Sequence, residues 1–443
     1  MFFSIIFGKL ISFVSQLLNL GAGATWPGEI ALRLDPHILT KIAPKNIILV
    51  AGTNGKTTTT LMIKQILGDR VVTNASGANL LNGMASAIIT SPPTDWGVFE
   101  IDENSLPQVL HFIKPKVIVL LNLFRDQLDR YGEVDVIAEK WERSLREQGR
   151  QREQDSKASK KNTIQIIANA DDPLVAEIAK SASRPGLEAG ITFFGLDDPS
   201  QFMKKMEHAT DSTFCPRCGT RLIYKGIYYS HLGDWHCPKC KNTRPKLAIS
   251  SWDYPLPGLY NRYNTLAAVA TAKALGVSDK QIKLSLQNFA PAFGRQEEFT
   301  IDGKKVKIFL SKNPAGFNES LRTVIELGAK NILIALNDRI PDGRDVSWIW
   351  DVDFEMLPGY VTPVVSGDRC YDLALRLKYA KPYQKLPGGA VSEPQTPIIV
   401  YEELETALRF CLSNPDQQTP LYILPTYSAM LEVRKILTGK KIL

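Results

Sequence analysis

Histidine and cysteine are the scarce residues of this chain, five and six among 443. Four of the cysteines, Cys215, Cys218, Cys237 and Cys240, fall in two CxxC pairs, while Cys370 and Cys411 stand alone in apolar or helical contexts. Only His37, His111 and His208 lie outside the segment carrying those pairs. No convincing Cys–His couple of nucleophile and base can be assembled, so hydrolysis of glutamine by a thiol has no candidate here. Such cysteine usage belongs to a metal site in a reducing compartment, not to a disulfide framework. An excess of one charge is lacking as well: 53 Lys and Arg against 46 Asp and Glu leave a net charge of +7. That suits nucleotides, phosphorylated substrates or anionic lipid, and is too mild and dispersed for a nucleic-acid partner. No internal repeat is visible, and the one long apolar run occupies residues 1–20. It has no basic lead, and a nucleotide site so near the start would be exported with it, so a signal peptide is not the expected reading. Lys9 and a narrow stripe of Ser4, Gly8, Ser12, Ser15, Gln16 and Asn19 break it as a membrane span. Two readings of this amphipathic helix stay open, packing on the body of the protein and peripheral contact with a membrane. The expected location is the cytoplasm, with the inner face of the plasma membrane as the surface such a helix would touch.

The rest has the composition of an ordinary globular protein, long enough for two or three domains. Apolar, strand-like runs at 46–50, 97–101, 116–122, 163–168 and 191–194 alternate with helical ones, the pattern of an α/β protein with a mainly parallel sheet. Residues 148–162 are polar and charge-mixed, and read as a solvated helix end with a loop. After a segment of different texture at 209–245 come 247–250 and helix-like runs at 261–274 and 279–288. Residues 291–295 look like a joint. A second α/β series then has strands at 306–310, 331–336, 361–365, 398–401 and 421–424. The expected division is 1–44 as helix and lead-in, 45–293 as a central nucleotide-binding domain with 209–245 inserted, and 294–443 as a C-terminal α/β domain.

The strongest local signal is GTNGKTT at residues 52–58, between an apolar strand and a helical segment. Backbone N–H groups of Gly52, Thr53, Asn54 and Gly55 and of the helix start can face phosphates. Lys56 adds a positive charge, Thr57 a hydroxyl for Mg²⁺, and Thr58 continues the turn. FEIDE at 99–103 ends another strand, at the sheet edge where ligands of open α/β folds bind. Mg²⁺ takes hard oxygen ligands and needs only one or two carboxylates beside phosphates, and Glu100 is best placed, with Asp102 also readable as a loop cap. A polar cluster, NLFRDQLDRYG at 122–132, follows a third strand, and NADDP at 169–173 a fourth, where Asp172 before Pro173 suits a helix cap. The two knuckles Cys215/Cys218 and Cys237/Cys240, eighteen residues apart, suit tetrahedral Zn²⁺. With Tyr224, Tyr228, Tyr229 and Trp235 between them they predict a small β-rich ribbon held by metal. His231 and His236 are expected at its surface.

In order and spacing, GTNGKTTT, FEIDE, NLFRDQLDRYG, NADDP, GLYNRYNTLAA (258–268) and GRQE (294–297) resemble the Mur ligase family over residues 45–300. The resemblance implies a central phosphate-loop domain, a Rossmann-like C-terminal domain, and activation of a carboxylate by ATP as an acyl phosphate that an amine attacks. It implies adenine contacts from Asn261 and Asn264, nucleotide contact from Arg295, and Mg²⁺ near Thr57 and Glu100. Gln127 and Tyr260 stand where the family string has His, and Lys312-Asn313-Pro314 where it has Asp or His before Asn-Pro. These departures argue against a stand-alone Mur or folylpolyglutamate-type ligase that adds an amino acid.

The inserted four-cysteine ribbon, KNPAGFN (312–318), NDRIPDGRDVSWIWDVDF (337–354) and PTYSAM (425–430) are similar to one branch of that family, the ligase-like subunits that amidate lipid II. That implies amidation of the α-carboxylate of D-glutamate in the lipid II stem peptide, with ammonia supplied by a class I glutamine amidotransferase-like partner whose catalytic triad is completed by Asp345. Physically, Asp338, Asp342, Asp345, Asp351 and Asp353 crowd one loop and need cations, helix N-termini or a partner to relieve their repulsion, and Trp348 and Trp350 suggest an interaction surface. A nucleic-acid-binding zinc-ribbon ATPase is the reading from another class; the ribbon lacks the dense basic face it would need.

Overall fold

The structure, a computed structural model, describes residues 25–74, 78–126, 132–156, 164–182, 189–291, 294–380, 384–385, 391–392, 397–413 and 419–439. The apolar N-terminal helix, Gln127, and Ala292 and Phe293 of the expected joint lie outside the described residues. Among the described residues no helix is long and apolar enough to cross a membrane.

A parallel six-stranded sheet holds β1 (Asn46–Ala51), β2 (Val71–Thr73), β3 (Trp96–Ile101), β4 (Val117–Leu120), β5 (Ile164–Asn169) and β6 (Ala189–Phe194) in the order β2-β3-β1-β4-β5-β6. Its inner strands are buried on both faces, which is why they read as unbroken apolar runs rather than as alternations. β1 lies between β3 and β4, so the chain after β1 and the chain after β4 part at a switch point, where an open α/β sheet leaves a crevice at its carboxyl edge. The helix Lys56–Leu67 starts there. Helix Leu259–Ala274 packs against it, and Asn264 lies beside the turn that joins it to β1.

The segment at 209–245 forms a hairpin, β7 (Ile223–Tyr229) with β8 (Leu232–His236). Its base is not a free-standing cap. Tyr228, Tyr229 and Leu232 belong to the same core as Phe124 and Tyr263 of the main body, and the Trp235 Nε1–H donates to the Ala170 carbonyl at 3.0 Å. His231, expected at the surface, is instead fully buried: its Nε2 lies 3.3 Å from Asp172 Oδ2 and its ring 5.0 Å from that of Phe124. His236 is exposed as expected.

A second sheet runs β15-β12-β11-β16-β10-β9, from β9 (Arg295–Ile301), β10 (Lys304–Phe309), β11 (Asn331–Ala335), β12 (Val364–Ser366), β15 (Ile399–Val400) and β16 (Leu421–Pro425); β13 (Gln384–Lys385) and β14 (Val391–Ser392) pair separately. All its pairings are parallel except β9 with β10, a hairpin turning at Asp302 and Gly303, both at positive φ. The expected joint at Gly294-Arg295 is thus the start of an edge strand. β9 and β2 gave no strand signal, the first because three of its seven residues are charged and its apolar residues are few, the second because it is three residues long. Residues 247–250 form an isolated bridge from Ile249 to Phe194, not a strand.

Candidate functional site

The turn after β1 has Gly52 at φ +145° and Gly55 at φ +90°. A Cβ on Gly55 would stand 2.0 Å from Asn264 Oδ1, and one on Gly52 2.8 Å from Leu121 Cβ. The loop therefore needs glycine for both space and conformation, as a cradle approached closely by phosphate does. The Asn54 N–H donates to Asn122 Oδ1 at 2.8 Å, and Asn122 Nδ2 returns a bond to the Asn54 carbonyl at 3.1 Å. Thr53 is bonded to Phe124 through both its hydroxyl and its acceptor lone pair.

Lys56 folds back over this loop. Its Nζ donates to the Gly52 carbonyl at 2.5 Å and the Thr53 carbonyl at 3.1 Å, and lies 3.1 Å from Glu103 Oε2. The Lys56–Glu103 pair is buried on both sides. Burial alone would raise the Glu103 carboxyl, but Lys56 and Lys312 hold it below the usual carboxylate range. The Thr57 hydroxyl donates to Glu100, which β3 delivers beside the loop through the Val50–Glu100 register. The two predicted magnesium ligands are thus brought together. Asp102 caps its own loop, accepting from the Asn104 N–H at 3.1 Å. Thr58 is buried at the helix start. Asp172 caps the helix Pro173–Ala182, accepting from the N–H groups of Leu174 and Val175.

Asn264 donates to Asn261 Oδ1 at 3.1 Å, and Asn261 donates to the Pro257 carbonyl at 2.7 Å, so both amides sit behind the loop. Arg295 enters from the second sheet. Burial lowers its guanidinium from the ordinary value, while Glu100, Tyr427 and Tyr260, within electrostatic reach, act to raise it. Lys312, the departure noted above, reaches across to Asp126 after β4. Asn313 exchanges two side-chain bonds with Asn54, at 3.2 and 3.0 Å, and caps helix Pro314–Glu326 through the Gly316 N–H. Glu103, from its string a second candidate beside the metal, pairs instead with Lys56; the partners of Glu103, Asp126 and Asn313 had no local signal, because they lie far away in sequence.

The sulfur atoms of Cys215, Cys218, Cys237 and Cys240 all lie within 4.8 Å of one another. Four thiols so clustered, two from each knuckle, are a donor set consistent with tetrahedral Zn²⁺. The cluster is tied to helix Pro173–Ala182 by Arg217 on Glu177 at 2.7 Å and by Lys180 on Asn242 at 2.9 Å.

The aspartate-rich loop is relieved residue by residue. Asp338 pairs with Arg369 at 3.0 Å, Asp342 accepts from the Ser428 N–H at 2.8 Å, and Asp351 pairs with Arg125 at 3.2 Å. Asp353 accepts from Asn318 at 2.9 Å. Asp345 accepts from the Ser347 N–H, at 2.8 Å, and is exposed. That bond holds its carboxyl below the usual range. It lines a surface cavity of about 340 Å³ with Arg344, Trp350 and Arg369.

A glycine-shaped phosphate cradle, a carboxylate from the neighbouring strand and cations from a second sheet define an ATP-using ligase core. The Mur ligase middle-domain model matches residues 50–272 and the MurT ligase C-terminal model residues 310–430. The chain belongs to the Mur ligase family, in its MurT group. It is 35% identical to the MurT subunit of the glutamine-hydrolysing lipid II isoglutaminyl synthase of Staphylococcus aureus strain COL, over 87% of this chain and 86% of that one. To the MurT subunit of Streptococcus pneumoniae strain R6 it is 33% identical, over 96% and 95%. In fold it is similar to a pseudomurein peptide ligase type C from Methanothermus fervidus, with a TM-score of 0.62 at 21% identity, covering 90% of this chain and 80% of that one.

Proposed function

We propose that this chain is the synthetase half of a two-chain enzyme that converts the D-glutamate of the lipid II stem peptide to D-isoglutamine. The similarity to MurT subunits over nearly the whole chain carries this reading. ATP binds on residues 52–58, with Asn261, Asn264 and Arg295 toward the nucleoside. Thr57 and Glu100 would hold Mg²⁺, which when bound offsets charge on the phosphates. The α-carboxylate attacks the γ-phosphorus, and Lys56 and Arg295 stabilise the charge on the transferring group. Ammonia then displaces phosphate from the acyl carbon. The four cysteines would hold Zn²⁺ structurally, and residues 45–293 and 294–443 would be the two ligase domains.

The partner would be a glutaminase subunit that docks around Asp345. An exposed carboxylate already fixed by one backbone N–H is suited to orienting a histidine from another chain. Beside it, helix Cys370–Ala380 presents Tyr371, Leu375 and Tyr379 to solvent at spacings of four, and Trp350 lies 6.0 Å from Tyr379, ring to ring. Such an aromatic, apolar stripe next to a charged cleft has the composition of an interface core.

The test is ATP turnover on lipid II with ammonium, with glutamine alone, and with glutamine plus the partner. Amidation with ammonium and with glutamine plus partner, but not with glutamine alone, is expected. Incorporation of an amino acid would overturn the reading. Asp345→Asn should lower glutamine-driven turnover by about 100-fold or more, as loss of a triad carboxylate does, and leave ammonium-driven turnover intact.

A further inference from the structure

One carboxylate in the ligase cleft has no role in the scheme above. Asp126 follows β4 and is only 6% exposed. Lys312, from the loop between β10 and helix Pro314–Glu326, holds its Oδ2. Its Oδ1 is buried and has no hydrogen-bond partner among the described residues. A buried acceptor left open is an exception that calls for an occupant. Lys56 and Glu103 lie within electrostatic reach, which puts Asp126 beside the phosphate cradle.

The chemistry of that occupant is narrow. A carboxylate oxygen accepts and does not donate, so another anion is excluded. The occupant must carry N–H or O–H, and be small enough for a residue this enclosed. Burial also pushes the Asp126 carboxyl up from its ordinary value, the direction that makes it a better proton acceptor. Its position agrees. Arg125, the preceding residue, pairs with Asp351 at 3.2 Å. Asp351 closes the short turn Ser347–Asp351, whose other end is held by Asp345. Asp126 therefore stands on the flank of the cleft nearest the surface assigned to the glutaminase.

We propose that Asp126 Oδ1 receives the ammonia molecule and takes its proton as the amide forms. The inference rests on the reading of this chain as an ammonia-using synthetase. The nitrogen lone pair attacks the acyl carbon and the C–N bond forms. The tetrahedral adduct collapses with cleavage of the bond from carbon to the phosphate oxygen, and phosphate leaves with that electron pair. One nitrogen proton passes to Asp126 Oδ1 and from there to the departing phosphate or to water. Lys312 keeps the carboxylate turned so that Oδ1 faces the cleft.

The experiment uses the full chain with its partner, lipid II and ATP, and compares ammonium with hydroxylamine as nucleophile. The nitrogen of hydroxylamine is less basic, is unprotonated at neutral pH and gives up its proton to water readily. In Asp126→Asn, ammonium-driven and glutamine-driven amidation should fall about 100-fold or more, the usual loss for a general base. Hydroxamate formation should fall far less, and Asp126→Glu should regain part of the ammonium rate. Equal losses with ammonium and hydroxylamine would overturn the proposal, because Asp126 would then serve binding or folding. So would an Asp126→Glu rate no better than that of Asp126→Asn. A wild-type protein that fails with ammonium would instead overturn the functional reading itself.

Discussion

Lys56 does two things at once, and they can be separated. It crosses the phosphate cradle, and it neutralises the buried Glu103. Lys56→Ala should lower ATP turnover by about 100-fold or more, and should cost about 3–5 kcal/mol of stability, because it strands a buried carboxylate. Adding Glu103→Gln should return much of the stability and none of the turnover, which paired melting and turnover measurements would show. The same pair gives a pH dependence of known sign. The Glu103 carboxyl is held low in the folded chain, so its stabilising contribution is complete above about pH 4.3, the ordinary glutamate value, and disappears as pH falls through its own lower value. Glu103→Gln should remove that part of the acid-unfolding limb. Gly55→Ala tests the cradle by shape alone: at φ +90° and 2.0 Å from Asn264 Oδ1, the added methyl should weaken nucleotide binding and lower the melting temperature together. The loop, Glu100 and the cysteine knuckles were legible because each is a pattern within a few consecutive residues. Lys56 with Glu103, Lys312 with Asp126 and His231 with Asp172 were not. Those partners lie 47, 186 and 59 positions apart, and only the folded sheet edges bring them together.

Among elements, the ribbon hairpin carries two separable loads. Its outer end is the four-thiol cluster, while its inner end is welded to the main core through Tyr228, Tyr229 and Trp235. Removing metal with a chelator should therefore open the knuckles to proteolysis at 215–218 and 237–240 and lower the melting temperature, with the phosphate-loop body still folded by far-ultraviolet circular dichroism. A chain that unfolds throughout on chelation would show that the tyrosine anchors are insufficient. The helix Cys370–Ala380 offers the complementary case, an element whose inner face is satisfied while its outer face is not. Leu375→Glu should weaken association with the glutaminase by about 30-fold, the effect of losing one interface anchor, and leave ammonium-driven turnover unchanged. In sequence, the alternation of strands and helices was legible because parallel strands are apolar throughout. The hairpin partner β9 was not, since three of its seven residues are charged and only Phe299 and Ile301 are strongly apolar.

At the scale of the whole molecule, the two sheets meet along a polar seam. Asn54 and Asn313 join the phosphate loop to the cap of helix Pro314–Glu326, Arg322 contacts Glu207 ahead of the ribbon, and His208 Nδ1 lies 2.5 Å from Asp353 Oδ1. Ala315 at the start of that helix joins the apolar core of the first half, but the contacts just named are hydrogen bonds and ion pairs, the usual character of an interface between moving bodies. Asn313→Ala removes both bonds to the loop and the helix cap. It should cost about 1 kcal/mol through the cap and raise the KM for ATP more than it lowers kcat, measured by steady-state turnover. None of this seam was legible beforehand, because periodicity and motif spacing report on single elements and not on how two sheets face each other.

The turn Ser347–Asp351 acts as a ruler. At about 2 Å per residue a turn of this kind spans only about 10 Å, yet Asp345 is bonded to its first residue and Asp351, its last, grips Arg125. On the proposed function, two chemistries on two chains are spaced by one short count of residues. One inserted residue would swing Asp345 by about 120° around the turn axis while Asp351 stayed anchored. Substitutions along the turn can be absorbed, whereas a change in its length would put glutamine hydrolysis and amide formation out of register.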